Sequence, residues 1–285
     1  MSSRVPVAKT LKLFIGGAFA RSESGRTYSI ESGGNHFNVA LASRKDVRDA
    51  VTAARTAWPG WSARSAYNRG QILYRLAEMM ESRRDQFTDA LRAAGRQRAA
   101  AEREADAALD LVVWYAGWSD KIEQVFSTKN PVSGPHFNVS SPEPTGVVGV
   151  VAPREPGLSG IVAAVVPVLC GGNSVVAHAS QSDPMSAIAF AEAVATCDLP
   201  AGALNVLTGE GNAAAQHLAS HMDVNGLALW GCDDKLSRSL QTAAVENVKR
   251  VRVFANADFD RRAVRSPHRI LDFLEIKTVW HPAGV

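Results

Sequence analysis

The stretch GVVGVVA at residues 146–152 decides the fold, because a short apolar run is typical of a strand that is buried on both faces of a sheet. Similar runs follow at NSVVAH (173–178), ALNVLTG (203–209), VNGLALW (224–230) and KRVRVFA (249–255). Helical patterns lie between the runs, at 158–170, 184–197, 212–220 and 234–246. This alternation predicts βαβ units. We therefore expect an α/β fold with a Rossmann-like, doubly wound parallel sheet of five strands.

The residues that precede this region predict elements that pack against the sheet. Residues 12–42 predict short β segments separated by turns, because apolar runs alternate there with Gly and Ser. Residues 44–94 predict helices from an i, i+3, i+4 spacing of apolar side chains, with a break at Pro59 and Gly60. The same spacing predicts another helix over roughly residues 99–123.

Two segments outside the α/β pattern predict a protruding β element. Residues 126–142 are rich in Pro, Gly and Ser and predict a hairpin or an extended excursion. Residues 267–285 end in a strand-like segment whose apolar positions are Leu271, Phe273, Ile276, Val279 and Trp280. An exposed edge strand is a liability for a free chain, so we expect these segments to pair with another subunit.

Composition favours a soluble globular protein. The chain has 285 residues, of which 46% are hydrophobic and 21% charged, and this excludes a mostly disordered chain. No apolar run reaches the roughly 18 residues that a membrane span needs, and the N-terminus lacks the apolar core of a secretory signal. The net charge of +3, with interspersed signs, does not favour nucleic acid. Three cysteines without a CxxC spacing argue against a disulfide framework or a zinc site, so we expect a cytoplasmic location.

The order of the motifs resembles that of the aldehyde dehydrogenase superfamily. The segments that carry the resemblance are LFIGGAFARSESGRTY (13–28), residues 46–87, EPTGVVGVVAP (143–153), VVPVLCGGNSVVAHAS (165–180), LPAGALNVLTGEG (199–211), SHMDVNGLALWG (220–231) and LDFLEIKTVW (271–280). The resemblance implies an NAD-binding-like α/β domain over residues 1–125 and 143–262, and a β oligomerisation element over residues 126–142 and 267–285. It also implies that the family's catalytic domain, about 150–200 residues, is absent, because the C-terminal strand closely follows residue 255.

The chain departs from the family at the catalytic positions. Glu155 stands where the family has the Asn that donates to the oxyanion, and a carboxylate cannot donate unless it is protonated. Phe254 stands where the family has the general base Glu, and a phenyl ring cannot accept a proton. None of the three cysteines, Cys170, Cys197 and Cys232, lies at the nucleophile's position. We expect no catalytic residue, and we single out Cys232 for a reactivity test because a helix N-terminus lowers the pKa of a thiol.

The cofactor-binding positions are altered as well. His178 and Gln181 replace the Lys and Glu that hold the adenosine ribose in the family, although both can still form hydrogen bonds with hydroxyl groups. Asp233 and Asp234 stand where the diphosphate should approach a helix N-terminus, and Leu236 replaces the second Gly of that motif. The remaining vestigial candidates for cofactor binding are Gly209, Gly211 and Gly231. We expect no bound cofactor, with weak NAD(P) binding as the alternative.

These substitutions predict a catalytically inactive aldehyde dehydrogenase-like protein, a pseudoenzyme with a structural or regulatory role. We expect an oligomer with itself or with a full-length aldehyde dehydrogenase, formed through residues 126–142 and 267–285, and no membrane or nucleic-acid partner. Two alternatives stay open: an NAD(P)-dependent aldehyde dehydrogenase subunit that works with a partner, and a nucleotide-binding sensor. The sequence identifies neither the partner nor a substrate.

Two smaller groups of residues give weaker signals. His217 and His221 have the i, i+4 spacing of a metal-binding pair on a helix, but no third ligand lies nearby, and a solvated helix face is the simpler interpretation. A basic cluster within residues 261–269 consists of Arg261, Arg262, Arg265, His268 and Arg269. It predicts either a solvated linker or a docking surface for an acidic partner.

Overall fold

The structure is a computed structural model that describes residues 9–32, 34–255 and 264–283. The strands are β1 Thr10–Leu11, β2 Leu13–Ile15, β3 Ala18–Ala20, β4 Thr27–Ser32, β5 Asn35–Ala40, β6 Thr128–Asn130, β7 His136–Pro144, β8 Val147–Val151, β9 Ser174–His178, β10 Leu204–Leu207, β11 Gly226–Trp230, β12 Arg250–Phe254 and β13 Leu274–Pro282. The helices are α1 Arg44–Ser62, α2 Ala66–Glu81, α3 Arg84–Ala93, α4 Arg98–Ala116, α5 Ile122–Phe126, α6 Leu158–Cys170, α7 Pro184–Val194, α8 Ala213–Ser220, α9 Asp234–Ala244 and α10 His268–Leu271. Within these described ranges, no helix combines the length and the apolar character that crossing a membrane requires.

The central sheet contains the five predicted strands in parallel, in the order β12–β11–β8–β9–β10. The chain enters this part of the sheet at β8, builds outward to β10, and returns to the other side of β8 at β11. This is the doubly wound order of a Rossmann-like sheet, so the predicted fold class is confirmed. β2 and β3 extend the sheet beyond β10 as antiparallel strands, which gives seven strands rather than the expected five.

Helices cover both faces of the central sheet, and each face forms an apolar core. Every residue of β8, β9, β10 and β11 is buried, because alternate side chains point into the two layers. Val147 and Val151 pack in the core formed with α1, α8 and α9. Val148 and Val150 pack in the core formed with α2, α4, α6 and α7. Burial on both faces explains why these strands are continuous apolar runs in the sequence.

α1 continues past Pro59, where the sequence predicted a break. Trp61, which follows two residues later, is fully buried, and its indole Nε1 donates a hydrogen bond to the carbonyl oxygen of Leu169 at 3.1 Å. The prediction of a break was wrong because burial of Trp61 stabilises the last turn by an amount comparable to the cost of a proline within a helix, about 3 kcal/mol.

A second sheet of three strands, in the order β13–β7–β6, joins the two segments that the sequence set apart. β13 pairs with β7 in antiparallel register over nine positions, from Leu274 opposite Pro144 to Pro282 opposite His136. The predicted hairpin is formed by β6 and β7. The tail differs from the prediction at its start, because residues 268–271 form α10 before the strand begins.

Asn173 connects the second sheet to the central one. Its fully buried side chain accepts a hydrogen bond from the N–H of Gly146 at 2.8 Å and donates one to the carbonyl oxygen of Phe273 at 3.0 Å. Gly146 directly precedes β8, and Phe273 directly precedes β13. One amide side chain therefore fixes the start of both strands, and its loss would deprive the buried N–H of Gly146 of this acceptor.

Replacing Asn173 with Ala is expected to lower the free energy of unfolding by about 2–3 kcal/mol, because a buried N–H loses its acceptor and a small cavity opens. Urea denaturation measures the change. Asn212→Ala is the matched control: Asn212 is exposed and makes no side-chain cap at the start of α8, so this substitution should cost less than about 0.5 kcal/mol. A loss below about 1 kcal/mol for Asn173→Ala would contradict the role given to this side chain.

Candidate functional site

The carboxyl ends of the parallel strands form the candidate site. β8 and β11 are neighbours, but α6 follows β8 into one helical layer and α9 follows β11 into the other. Sheets of this type bind ligands where the connections diverge in this way. We call the region formed by the segments that directly follow β8 to β11, together with the end of β12, the switch-point crevice. Glu155, Gly231 and Phe254 all lie in it.

Phe254 is packed beneath a cation. Its buried ring stacks on the indole of Trp230, its neighbour on β11, with ring centroids 4.1 Å apart and 25° between the planes. The guanidinium carbon of Arg269 on α10 lies 4.5 Å from the centroid of the Phe254 ring and 5.4 Å from that of Trp230. Such cation–π contacts stabilise the packing of α10 on the sheet. The position that resembles the family's general base therefore has a structural contact and no proton acceptor.

A carboxylate from another helix closes the beginning of α6. The N-cap residue Gly157 has no side chain, and Glu104 of α4 accepts hydrogen bonds from the N–H groups of Leu158 and Ser159 at 2.9 and 3.3 Å. Burial raises the pKa of the Glu104 carboxyl. These two amides are already satisfied, so they do not offer a free site for an anion.

Glu155 lies at the same helix end and is exposed to solvent. Arg96 approaches both carboxylates, with N–O distances of 3.4 Å to Glu155 and 3.7 Å to Glu104. A carboxylate at the position of an oxyanion donor would repel a developing negative charge. Sequence reasoning did not find Glu104, because it precedes Leu158 by 54 residues and leaves no local signal.

His178 is enclosed by the protein. It ends β9 with 6% of its surface exposed, and its Nε2 atom has no hydrogen-bond partner among the described residues. A Cβ atom at Gly209, in the loop after β10, would lie 3.2 Å from that nitrogen, so the loop passes close to the ring. Burial lowers the pKa of His178 to about 4, and the ring is therefore neutral at pH 7.

Gln181 and Gly211 meet across the loops that follow β9 and β10. The side-chain oxygen of Gln181 accepts a hydrogen bond from the N–H of Gly211 at 3.1 Å. Gly231 lies apart from them, at the turn between β11 and α9, where its φ of +60° favours glycine. Its N–H donates to the carbonyl oxygen of Phe254 at 2.9 Å. The cofactor candidates thus form two groups, one on the loops after β9 and β10 and one beside Phe254.

Asp233 caps the N-terminus of α9 with its own carboxylate. It is the N-cap residue, and its Oδ1 accepts a hydrogen bond from the N–H of Leu236 at 2.7 Å. Asp234 adds a second negative charge in the first turn. A diphosphate at this helix end would have to displace the cap and would meet two like charges.

The residues of the switch-point crevice do not fit a dinucleotide. The His178 nitrogen that could bind a ribose hydroxyl is enclosed beneath the loop of Gly209, and the Gln181 oxygen is already in a hydrogen bond. The helix end that would bind the diphosphate carries Asp233 and Asp234. Both loops and the helix cap would have to rearrange before a dinucleotide could bind.

The three cysteines are free thiols with raised pKa values. Burial raises the pKa of Cys170 to about 12 and that of Cys197 to about 11. Burial, followed by the negative charge of Asp233, raises the pKa of the partly buried Cys232 to about 11. The expected lowering of this pKa was wrong, because burial disfavours the thiolate and the charge of Asp233 adds to that effect.

The histidine pair does not lie on one helix. His217 is in the last turn of α8, but the helix ends at Ser220, and His221 is in an extended conformation. The Nδ1 of His221 accepts a hydrogen bond from the N–H of Asp223 at 3.2 Å. The described part of the chain contains no group of three or more His, Cys, Asp or Glu side chains that could hold a metal ion.

The basic cluster packs against the protein where it is described. Arg261 and Arg262 lie outside the described residues. Arg265 forms an ion pair with Asp110 at 3.0 Å, and Arg269 covers the aromatic stack of β11 and β12. The ring of His268 lies 5.8 Å from that of Phe126. The expectation of a solvated linker is wrong for Arg265 and Arg269, because both side chains contact the domain. The alternative, a docking surface for an acidic partner, stays a prediction.

Comparisons with known proteins find the family that the motifs resemble. The sequence profile described as "Aldehyde dehydrogenase family" matches residues 21–255. The chain is 32% identical over 248 residues to the cytosolic 10-formyltetrahydrofolate dehydrogenase of Mus musculus, an alignment that covers 84% of the chain and 28% of that protein. It is 31% identical over 278 residues to aldehyde dehydrogenase, cytosolic 1, of Elephantulus edwardii, covering 90% of the chain and 54% of that protein.

The fold is shared with solved structures. An NAD-dependent aldehyde dehydrogenase from Sinorhizobium meliloti superposes with a TM-score of 0.80 and 27% sequence identity, covering 86% of this chain and 50% of that one. The chain therefore spans about half, or less, of the length of the proteins it matches.

Cys232 is expected to react with iodoacetamide at pH 7.5 about a hundredfold more slowly than a free thiol, because its raised pKa leaves little thiolate. The rate should rise about tenfold for each pH unit up to the pKa. Mass spectrometry of the labelled peptide measures this reaction rate. The Cys232→Ser variant gives the background labelling of the other two thiols. A rate at pH 7.5 equal to that of a free thiol would contradict the raised pKa.

Proposed function

Since the chain belongs to the aldehyde dehydrogenase family, we propose that it is a catalytically inactive member with a structural or regulatory role. It acts as a subunit that assembles with a second copy of itself or with a full-length aldehyde dehydrogenase. In this proposal the contact surface is the sheet of β6, β7 and β13, and the switch-point crevice binds no NAD(P).

The exposure of β13 carries this proposal. After Leu274, all eight remaining residues of the strand are exposed, and its outer edge is unpaired within the described residues. Val279 lies opposite Val139 of β7, and Phe137 shares their face. The exposed fractions of these three side chains are 61%, 38% and 50%. A row of exposed apolar side chains beside an unpaired strand edge is typical of a protein interface.

The chemistry of the crevice supports catalytic inactivity. Phe254 is covered by Arg269 and cannot act as a base, and Glu155 cannot stabilise an oxyanion. Residues 255–273 connect β12 to β13, at the place where the resemblance implies a catalytic domain. The three thiols of the chain all have raised pKa values, which disfavours a role as nucleophile.

The two alternative functions both require a dinucleotide in the crevice. A subunit that oxidises aldehydes with a partner needs NAD(P) beside the partner's thiol, and a nucleotide sensor needs at least the adenosine site. The enclosed Nε2 of His178 and the cap formed by Asp233 count against both. No contact of the described residues favours either alternative over the structural role.

Val279→Lys is expected to abolish assembly, because a charge placed in an apolar interface must be desolvated. Light scattering during size-exclusion chromatography should give the wild-type chain a mass of at least twice 30.4 kDa, or the tagged chain should retain a full-length aldehyde dehydrogenase from its host. Tyr74→Lys, on α2 with 54% exposure, is the matched control and should leave assembly unchanged. A monomeric wild-type chain that retains no such enzyme would refute the proposal.

NAD(P) is expected to leave the stability of the chain almost unchanged. About 5 mM NAD+ or NADP+ should shift the Tm by less than about 1 °C, because only a ligand that binds the native state stabilises it. Oxidation of an aldehyde by the purified chain should be undetectable, with a full-length aldehyde dehydrogenase as the positive control. A shift of several degrees would favour the sensor, and a measurable turnover would favour the active subunit.

A further inference from the structure

A cavity of about 730 Å³ lies between the first turns of α1 and the end of α8. Its volume is within the range of small-molecule sites in proteins. Its wall includes Arg44, Lys45 and Arg48 from α1, and His217 and His221 from α8 and its end. None of the residues that we placed in the switch-point crevice lines it, so we treat it as a separate feature and call it the basic cavity.

The positive charge of the basic cavity is only partly balanced. Lys45 and Arg48 share Asp49, with N–O distances of 2.7 and 3.6 Å, and exposed pairs of this kind are weak. Arg44 forms no ion pair with any described residue. The acidic side chain in the wall is Glu23, which accepts a hydrogen bond from the hydroxyl of Ser43 at 3.0 Å. The wall therefore has an excess of cations.

This charge comes from side chains and not from the helix end. The N-terminus of α1 is already closed by a capping box, in which Ser43 accepts from the N–H of Asp46 and Asp46 accepts from that of Ser43. Asp46 is buried, also accepts a hydrogen bond from Ser22 at 2.7 Å, and does not belong to the wall of the cavity. Arg44 is the cation that remains available for a ligand.

We propose that the basic cavity binds a small organic phosphate. Arg44, with Lys45 and Arg48 beside it, would hold the phosphate group, because a guanidinium matches two phosphate oxygens at once. Val47 and Met222 add apolar surface to the same wall, and Met222 is 66% exposed, so an apolar body attached to the phosphate would have a surface to contact. This binding function is separate from the proposed role in assembly and does not depend on it.

The two histidines would make binding stronger in acid. Burial lowers the pKa of His217 and of His221, and Arg44 adds to the lowering at His217. The other charged groups that face His221 are Asp223, Lys249 and Arg55. Both rings are therefore mostly neutral at pH 7 and gain a charge as the pH falls. A bound dianion favours the charged rings, so its affinity should increase as the pH falls through their pKa values.

Titration with phenyl phosphate, followed by calorimetry at pH 7.5 and low salt, tests the site. Arg44→Gln should weaken binding about tenfold, since it removes a charge-assisted contact with the phosphate. Arg103→Gln is the matched control, because Arg103 is also an exposed helical arginine, on α4, and this variant should change the affinity less than about twofold. Equal losses in the two variants, or no binding to the wild-type chain, would overturn the proposal.

A second titration uses sulfate, which keeps its two negative charges between pH 5.5 and 7.5. Its affinity should be at least about threefold higher at the lower pH, and His217→Gln should remove much of that increase.

Comparison of phenyl phosphate with inorganic phosphate tests the apolar part of the wall, and Met222→Ser should reduce the preference for the phenyl compound. An affinity for phenyl phosphate no higher than for inorganic phosphate would contradict an organic ligand.

Discussion

Burial of both faces of β8, β9, β10 and β11 is the constraint on which the rest of the structure depends. Every residue of these four strands is buried, so the sheet requires helices in two layers and leaves polar chemistry to the strand ends. At the amino ends, Asn173 and Asn205 satisfy backbone groups of neighbouring segments. At the carboxyl ends, Gln181, Gly231 and Asp233 form hydrogen bonds within the chain.

The elements of the central sheet could be predicted because their signal is local. The apolar run NSVVAH indicates both the burial and the length of a strand, and β9 begins and ends within one residue of the predicted bounds. The continuation of α1 past Pro59 could not be predicted, because it depends on Trp61 meeting the carbonyl of Leu169. The cap that Glu104 forms on α6 and the contact of Arg269 with Phe254 are also long-range. Motif positions indicated where the candidate site lies, but they could not show what those side chains contact.

Two helix ends meet the crevice, and the chain closes both with its own carboxylates. Glu104 accepts from the N–H groups of Leu158 and Ser159 in α6, and Asp233 accepts from that of Leu236 in α9. A helix N-terminus attracts anions through available N–H groups, so these contacts weaken the attraction without changing the fold. Burial raises the pKa of the Cys232 thiol, and the negative charge of the same cap residue, Asp233, adds to the increase.

One face of the second sheet carries a ladder of polar side chains beside Ile276 and Trp280. Asn130 donates hydrogen bonds to Asn138 and Ser140 at 2.6 and 2.8 Å, and Ser140 meets the hydroxyl of Thr278 at 2.7 Å. A slip of β13 by one residue would break the contact of Thr278 and move Val279 from its apolar neighbours to this polar row. The polar ladder therefore fixes the register of β13, so that Val279, Val139 and Phe137 keep one arrangement on the opposite face before any other chain approaches them.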